Sequence, residues 1–307
     1  MTIRHFLTLK DLSKNDAASI LSKAIELKKS HHSGQYSKVL DGITLAMIFE
    51  KSSTRTRVSF EAGMAQLGGS AIFLSSNDSQ LGRGEPLEDS ARVISRMVDI
   101  ILMRTFSHAN IERFAKFSSV PVINALSDEF HPCQILADIL TFIEHRGPIK
   151  DKVISWIGDG NNMCQSWINA ATLFDFRLHI ACPEGFEPSA KLVQEAGSRV
   201  RLFRDPVEAS RDASLVTTDV FASMGQEEER EMRLKKFKGF RVDHELMSTA
   251  SENAIFMHCL PAHRNEEVSA ELIEDEKISV VWDQAENRLH SQKSLLLFLL
   301  GHQTDQA

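Results

Sequence analysis

The sequence has no surplus of basic side chains, no paired cysteines, no long apolar run and no short-period repeat. Lysine and arginine total 35 against 42 aspartates and glutamates, a formal net charge of −7. That balance excludes a general nucleic-acid binder, which needs basic excess to neutralise phosphates, but leaves room for a small basic pocket. Cys133, Cys164, Cys182 and Cys259 stand apart with no C-x-x-C pair. In a chain of 307 residues they read as reduced thiols in a cytoplasmic setting rather than a disulfide framework. The opening stretch MTIRHFLTLKDLS lacks the apolar core of a signal peptide. The strongest apolar run, LLLFLL at 295–300, is far too short to cross a bilayer. The expectation is a soluble protein with neither nucleic-acid nor membrane partners.

What is present is an ordinary globular balance, 42% hydrophobic and 25% charged, with length enough for two domains. β-leaning runs recur: ITLAMIF (43–49), AIFL (71–74), DIILMR (99–104) and PVINA (121–125), separated by helical patterns such as Val58–Leu67 and Leu87–Met97. The rhythm restarts with KVISWIG (152–158), LHIAC (178–182), RVRLF (199–203), SLVTTDV (214–220), AIFMHCL (254–260) and ISVVWD (278–283). Strands alternating with helices imply crossover units. The expected fold is α/β with two doubly wound parallel-sheet domains, divided near His145–Asp151, where Gly147-Pro148 punctuates the chain. The charged stretch GQEEEREMRLKKFKG (225–239) reads as a solvated helical face.

Open parallel sheets bind ligands at the carboxyl ends of their strands, so the segments after the apolar runs carry the chemistry. SSTRTR (52–57) ends one strand and opens a helix. A helix N-terminus has unpaired N–H groups and partial positive charge. Ser53, Thr54 and Thr56 add hydroxyls there, and Arg55 and Arg57 add guanidinium forks suited to phosphate oxygens. A serine cap followed by surface arginines is the plainer alternative. Arg104, at the end of DIILMR, taken alone is an ordinary surface arginine. In HPCQILADIL (131–140), proline at the first helical position pushes His131 into the cap; His131 could donate to a carbonyl and Gln134 accept from an amide, or both could simply cap and be solvated. In HCLPAHR (258–264), Cys259 lies at a strand's carboxyl end before Leu260-Pro261, a bond open to the cis form. A metal reading there lacks a second Cys/His pair at ligand spacing, and a buried inert thiol is the plain alternative. GDGNNM (158–163) keeps G-x-G but has Met163 where a dinucleotide turn needs its third glycine. It offers Asn161 and Asn162 instead. DVFASMG (219–225) presents Asp219 and Ser223, an acidic mouth suited to a cationic substrate or a helix cap.

STRTR, MRTF, HPCQ, GDGNNM, DVFASMGQE, HCLPAHR and WDQAENR (282–288) occur in this order from end to end of the chain. Together they resemble the aspartate/ornithine carbamoyltransferase family, and DVFASMG with HCLPAHR points to its ornithine branch. The resemblance implies a carbamoyl phosphate-binding domain over 1–146, rejoined by a C-terminal helix at 289–307, and an ornithine-binding domain over 147–288. It assigns Ser53, Thr54, Arg55 and Thr56 to the phosphate. Arg104, His131, Gln134 and Arg288 go to the carbamoyl group and its phosphate, joined at the carbamoyl group by Cys259 and Leu260. Asn162, Asp219, Ser223 and Met224 go to ornithine. Gln80 is lent to a neighbouring subunit, which implies a homotrimer, or a multiple of trimers, with shared sites. Arg104, His131, Asp219 and Cys259 are the implied catalytic groups. The implied reaction joins carbamoyl phosphate and ornithine into citrulline, as in arginine biosynthesis, and it needs no metal or other cofactor because the leaving group is already activated.

Overall fold

Nine of the ten β-leaning runs form parallel strands; most of the inner ones are covered on both faces and so are continuous apolar runs rather than alternating ones. The computed structural model describes residues 3–75, 84–222 and 229–302. In it β1 (Thr44–Phe49), β2 (Ser70–Ser75), β3 (Ile100–Arg104) and β4 (Val122–Leu126) pair in the order β2-β1-β3-β4. A second sheet orders β5 (Val153–Ile157), β6 (Arg177–Ala181), β7 (Val200–Phe203), β8 (Leu215–Thr218) and β9 (Ile255–His258) as β7-β6-β5-β8-β9. Every pairing between these strands is parallel. In each sheet the chain steps outward from its first strand, returns past it and continues on the other side, which is the doubly wound pattern. The switch points lie between β1 and β3 and between β5 and β8.

The helices among the described residues are α1 (Lys14–His32), α2 (Thr54–Gln66), α3 (Leu87–Ile94), α4 (His108–Phe117), α5 (Pro132–Arg146), α6 (Asn162–Phe174), α7 (Ala190–Ala196), α8 (Pro206–Ser210), α9 (Arg230–Lys236), α10 (His244–Met247), α11 (Ala270–Ile273) and α12 (Val281–Leu299). None is long and apolar enough to cross a membrane. The chain divides into one unit of Met1–Leu140 with Glu286–Ala307 and another of Thr141–Ala285. Helix α5 therefore begins in the first unit, and Gly147, at φ +73, stands just past its end. The C-terminal helix belongs to the first unit from Glu286 on: Ser294 Oγ donates to the Ile20 carbonyl at 2.7 Å, and Lys28 Nζ to Asn287 Oδ1 at 2.9 Å.

Each sheet holds its own core. In the first unit Ala46 and Ile48 of β1 and Ile101 and Met103 of β3 pack with Ala91 of α3 and Ile111 and Phe114 of α4. In the second, Ile157, Val216 and Phe256 pack with Phe221, Phe237 and Phe240. One expected strand is absent. Residues 278–283 contribute a single bridge, Ser279 to Phe256, before the chain turns into α12 at Val281. Two backbone bonds make that bridge, Phe256 N to Ile278 O at 2.8 Å and Val280 N to Phe256 O at 3.1 Å. The β-branched run there caps the edge of β9, and the helix takes the rest.

Candidate active site

The first unit gathers its polar groups at the β1/β3 switch point, where β1 ends at Phe49 opposite Arg104, the last residue of β3. Ser53 is the N-cap of α2, its hydroxyl accepting from Thr56 N at 3.2 Å. The remaining N–H groups of that turn keep the anion-attracting character of a helix start. Thr56 is buried, and its Oγ1 accepts from Arg288 Nη2 at 2.7 Å. Arg288 Nη1 donates to Gln134 Oε1, also at 2.7 Å, and Gln134 Nε2 donates to Asp138 Oδ1 at 2.8 Å. This chain fixes the Gln134 amide, with Arg288 on its oxygen and Asp138 on its nitrogen. One lone pair and one N–H of that amide remain for other partners. Asp138 is the member that the sequence did not point to.

His131 is buried beside these groups. Burial, reinforced by the charges of Arg288 and Arg104, holds its pKa well below the usual imidazole range. The ring is therefore neutral at physiological pH, with one nitrogen a donor and the other an acceptor. Its carbonyl accepts from Gln134 N at 3.2 Å, so the residue occupies the helix start as expected. Arg55 is partly exposed, with no ion pair among the described residues, whereas Thr54 lies open to solvent. Arg57 is turned to other work: its Nε donates to Glu61 Oε1 at 2.8 Å, and its guanidinium sits 4.0 Å from the Phe73 ring centroid. Of the two arginines read as phosphate forks, Arg55 is the one left to serve.

The second unit builds a different site at the β5/β8 switch point and the end of β9. Asn161 is the N-cap of α6: its Oδ1 accepts from Met163 N at 3.0 Å and Cys164 N at 3.1 Å. Its Nδ2 donates to Asp219 Oδ2 at 3.0 Å. The other carboxylate oxygen, Oδ1, accepts from Val220 N at 2.8 Å and from Cys259 Sγ at 3.2 Å. Asp219 is thus aimed from both sides, and the thiol rests on it. Asn162 opens α6, its carbonyl accepting from Ser166 Oγ at 2.7 Å. The turn G-D-G is shaped by packing: a Cβ at Gly160 would lie 2.2 Å from Pro188 N.

After Cys259 the backbone takes an unusual course. Leu260 has φ +56 and the Leu260-Pro261 bond is cis. A branched side chain in left-handed backbone costs about 1–3 kcal/mol and persists where neighbours over-determine it. Here His258 Nδ1 accepts from Leu260 N at 2.9 Å, and His258 Nε2 lies 3.1 Å from Glu267 Oε1, both residues fully buried. Asp219, His258 and Cys259 offer metal-ligating atoms within 4.8 Å of one another, but both nitrogens of His258 are already engaged in these bonds.

Among its described residues, the charged stretch read as a solvated face departs from that expectation at Phe237, which joins the core, and at Arg233. Arg233 of α9 is buried, pairs with the Asp159 carboxylate and donates to the Phe221 carbonyl. Burial pushes the pKa of Asp159 up to about 6, the guanidinium opposing and Asp219 reinforcing. No local pattern marks Arg233; its partner Asp159 lies 74 positions away in sequence. The other cysteines are inert packing groups: burial drives Cys133 up to about 12, Cys182 to about 11 and Cys164 well above its ordinary value. Three expected site residues, Gln80, Ser223 and Met224, lie outside the described residues.

Residues 4–144 match the family model described as the aspartate/ornithine carbamoyltransferase carbamoyl-P binding domain, and residues 150–299 match that of the Asp/Orn binding domain. A protein of Halorhodospira halophila named ornithine carbamoyltransferase is 60% identical over 298 residues, 97% of this chain and 99% of the relative. The crystal structure of ornithine carbamoyltransferase from Burkholderia thailandensis is similar at TM-score 0.91 and 53% identity, covering 98% of this chain and 100% of that one. That of the Pyrococcus furiosus enzyme reaches TM-score 0.93 at 46% identity, covering 98% and 99%.

Proposed function

The chain belongs to the aspartate/ornithine carbamoyltransferase family, and on that premise we propose that it moves the carbamoyl group of carbamoyl phosphate to the δ-amine of L-ornithine, giving L-citrulline and phosphate. The observation that carries this reading is that the first unit holds a cationic cluster, Arg104 and Arg288 beside His131, and the second a fixed carboxylate and thiol, in a chain matched by the carbamoyl-P and Asp/Orn binding-domain models.

In this reading the α2 turn, with Ser53, Thr54, Arg55 and Thr56, holds the phosphate. Arg104 and the neutral His131 donate to the carbonyl oxygen, Gln134 orients the carbamoyl amide, and Arg288 sets Thr56 and Gln134 in place. Charge gathers on that oxygen as the carbonyl carbon becomes tetrahedral, and preorganised donors aimed at it are the largest available source of rate. A neutral imidazole suits the task, since it donates without adding a third full charge beside two arginines.

The acceptor poses a separate problem. An alkylammonium has a pKa of about 10.4 and no lone pair, so a proton must leave before the nitrogen attacks. Asp219 with Cys259 orients that amine and takes up its proton, while Asn162 and, from the undescribed segment, Ser223 and Met224 hold the rest of ornithine; Leu260 joins Cys259 in holding the carbamoyl group. The attack is direct, nitrogen to carbonyl carbon, with the C–O bond to phosphate breaking.

The same reading includes a homotrimer, or a multiple of trimers, in which Gln80 completes a neighbouring subunit's site, together with a cytoplasmic role in arginine biosynthesis. It needs no cofactor. Purified protein incubated with carbamoyl phosphate and ornithine should release citrulline and phosphate in equal amounts. No citrulline, or carbamoyl transfer to aspartate in preference, would overturn the reading.

A further inference from the structure

At the far end of α2 from the anion turn, a cleft of about 290 Å³ opens in the first unit. It is metabolite-sized, at the small end of ligand sites. Leu27 and Leu67 supply apolar wall, Ser30, Tyr36 and Gln66 supply hydrogen-bonding groups, and Lys293 of α12 also lines it. Lys293 is only 2% exposed, and its stem lies against Gly63, where an added Cβ would come within 3.2 Å of its Cγ. Its ammonium donates to the neutral amide oxygen of Gln66 at 2.9 Å.

No carboxylate pairs with Lys293 among the described residues. Glu286, two turns earlier on α12, is occupied by His32 at 2.7 Å and His290 at 3.3 Å. A buried ammonium without a counter-charge is costly, and burial accordingly draws its pKa down to about 8. Nothing in the transferase reading uses this lysine. A buried cation at a cleft ringed by hydroxyls and amides is complementary to an oxyanion, whose oxygens would accept from all of them.

We propose that this cleft is a second anion site, separate from the α2 turn, which takes a small carboxylate or phosphate with its charge on Lys293 Nζ and its body against Leu27 and Leu67. The site is independent of the transfer reaction and stands or falls apart from it.

Tyr36 is the chain's single tyrosine, so isotope-labelled tyrosine gives one NMR signal at the mouth of the cleft. The full-length protein is titrated at constant ionic strength with inorganic phosphate, with succinate, and with chloride as the screening control. The expected result is a saturable shift of the Tyr36 signal by phosphate or succinate, with a midpoint below about 10 mM, and none by chloride. Saturation by phosphate alone assigns a phosphate ligand, and by succinate alone a carboxylate. Gln66→Glu hands Lys293 an internal counter-charge with little change of shape, and it should weaken the response at least about tenfold. Lys293→Met should do the same. Arg55→Ala, which disables the α2 turn, should leave the Tyr36 titration intact. A response that fails to saturate, or one that survives Gln66→Glu, overturns the proposal.

Discussion

In the first unit Arg104 ends β3 and Arg55 lies in the first turn of α2, whereas in the second the segments after β8 and β9 present Asp219 and Cys259, with Asp219 bonded to the cap of α6. Both sheets are doubly wound and both use the switch point, and both place a helix N-terminus there. The side chains alone set opposite electrostatic characters. In the first unit the cap is a serine that leaves the positive helix start to an anion. In the second the cap is an asparagine, whose oxygen satisfies two of the N–H groups and whose nitrogen grips a carboxylate. In the proposed reading the same backbone device serves ligand binding in one unit and holds a catalytic group in the other. Fold places the site; the capping residue decides what the site attracts.

If that contrast is right, substitutions in the two units should fail in different ways. The largest effect is expected from Arg55→Ala. Losing a donor to the transferring group costs on the order of 10²–10³ in rate, and we expect kcat/KM for carbamoyl phosphate to fall about 10³-fold. Arg55 is partly exposed and makes no ion pair among the described residues, so thermal stability should hardly change. Near-normal kinetics would break the comparison at its first term. Asp219→Asn comes next. It keeps the shape and removes the charge that, in the proposed reading, receives the amine proton, so turnover should drop about 10²-fold. Calorimetric affinity for carbamoyl phosphate alone should stay as it was. A parallel loss of donor binding would mean that the two units do not divide the work as drawn.

A third substitution tests how the second site is held. His258→Phe removes the acceptor for Leu260 N–H and leaves buried Glu267 without its imidazole. Stranding buried polar groups costs about 1–3 kcal/mol each, and urea unfolding should show a loss in that range. An unchanged midpoint would show that the left-handed turn after Cys259 supports itself.

The two units also differ in how much of them could be read from sequence. Most inner parallel strands are contiguous apolar runs and the exposed edge strands keep short β-leaning ones, so nine are legible, and STRTR carries its cap, hydroxyls and arginine within one turn. Arg57 misled because i,i+4 pairing with Glu61 on the helix surface competes for the same guanidinium. Residues 278–283 misled because β-branched side chains suit both an edge bridge and the first turn of a helix. The supports of Asp219 and Cys259 were largely hidden. In the sequence Asn161 reads only as a polar group, no pattern marks Glu267, and Arg233 is hidden inside a charge run. Each acts through a residue that folding alone brings near, and no spacing rule anticipates that.

The smallest effect belongs to Asp159, and it separates the units by pH. Its carboxyl is raised in the folded protein to about 6 from the ordinary aspartate value of 3.8 because burial outweighs the pairing with Arg233. Between those two values the native state holds a proton that the unfolded chain has released, so stability falls as pH rises through the window. His131 in the first unit acts in the opposite sense. Its pKa is held down by burial, so the unfolded chain binds the extra proton on acidification and stability rises with pH. A profile of melting temperature against pH therefore sums opposing slopes, to which other buried histidines such as His108 and His290 also contribute, and says little alone. Asp159→Asn removes one of them while keeping an acceptor for Arg233. Between about pH 5 and about pH 7 the wild type should lose about 1 kcal/mol relative to this variant, measured as the difference between their unfolding free energies at each pH. A difference that is flat, or that grows in the wild type's favour, would mean that Arg233 controls Asp159 more strongly than burial does.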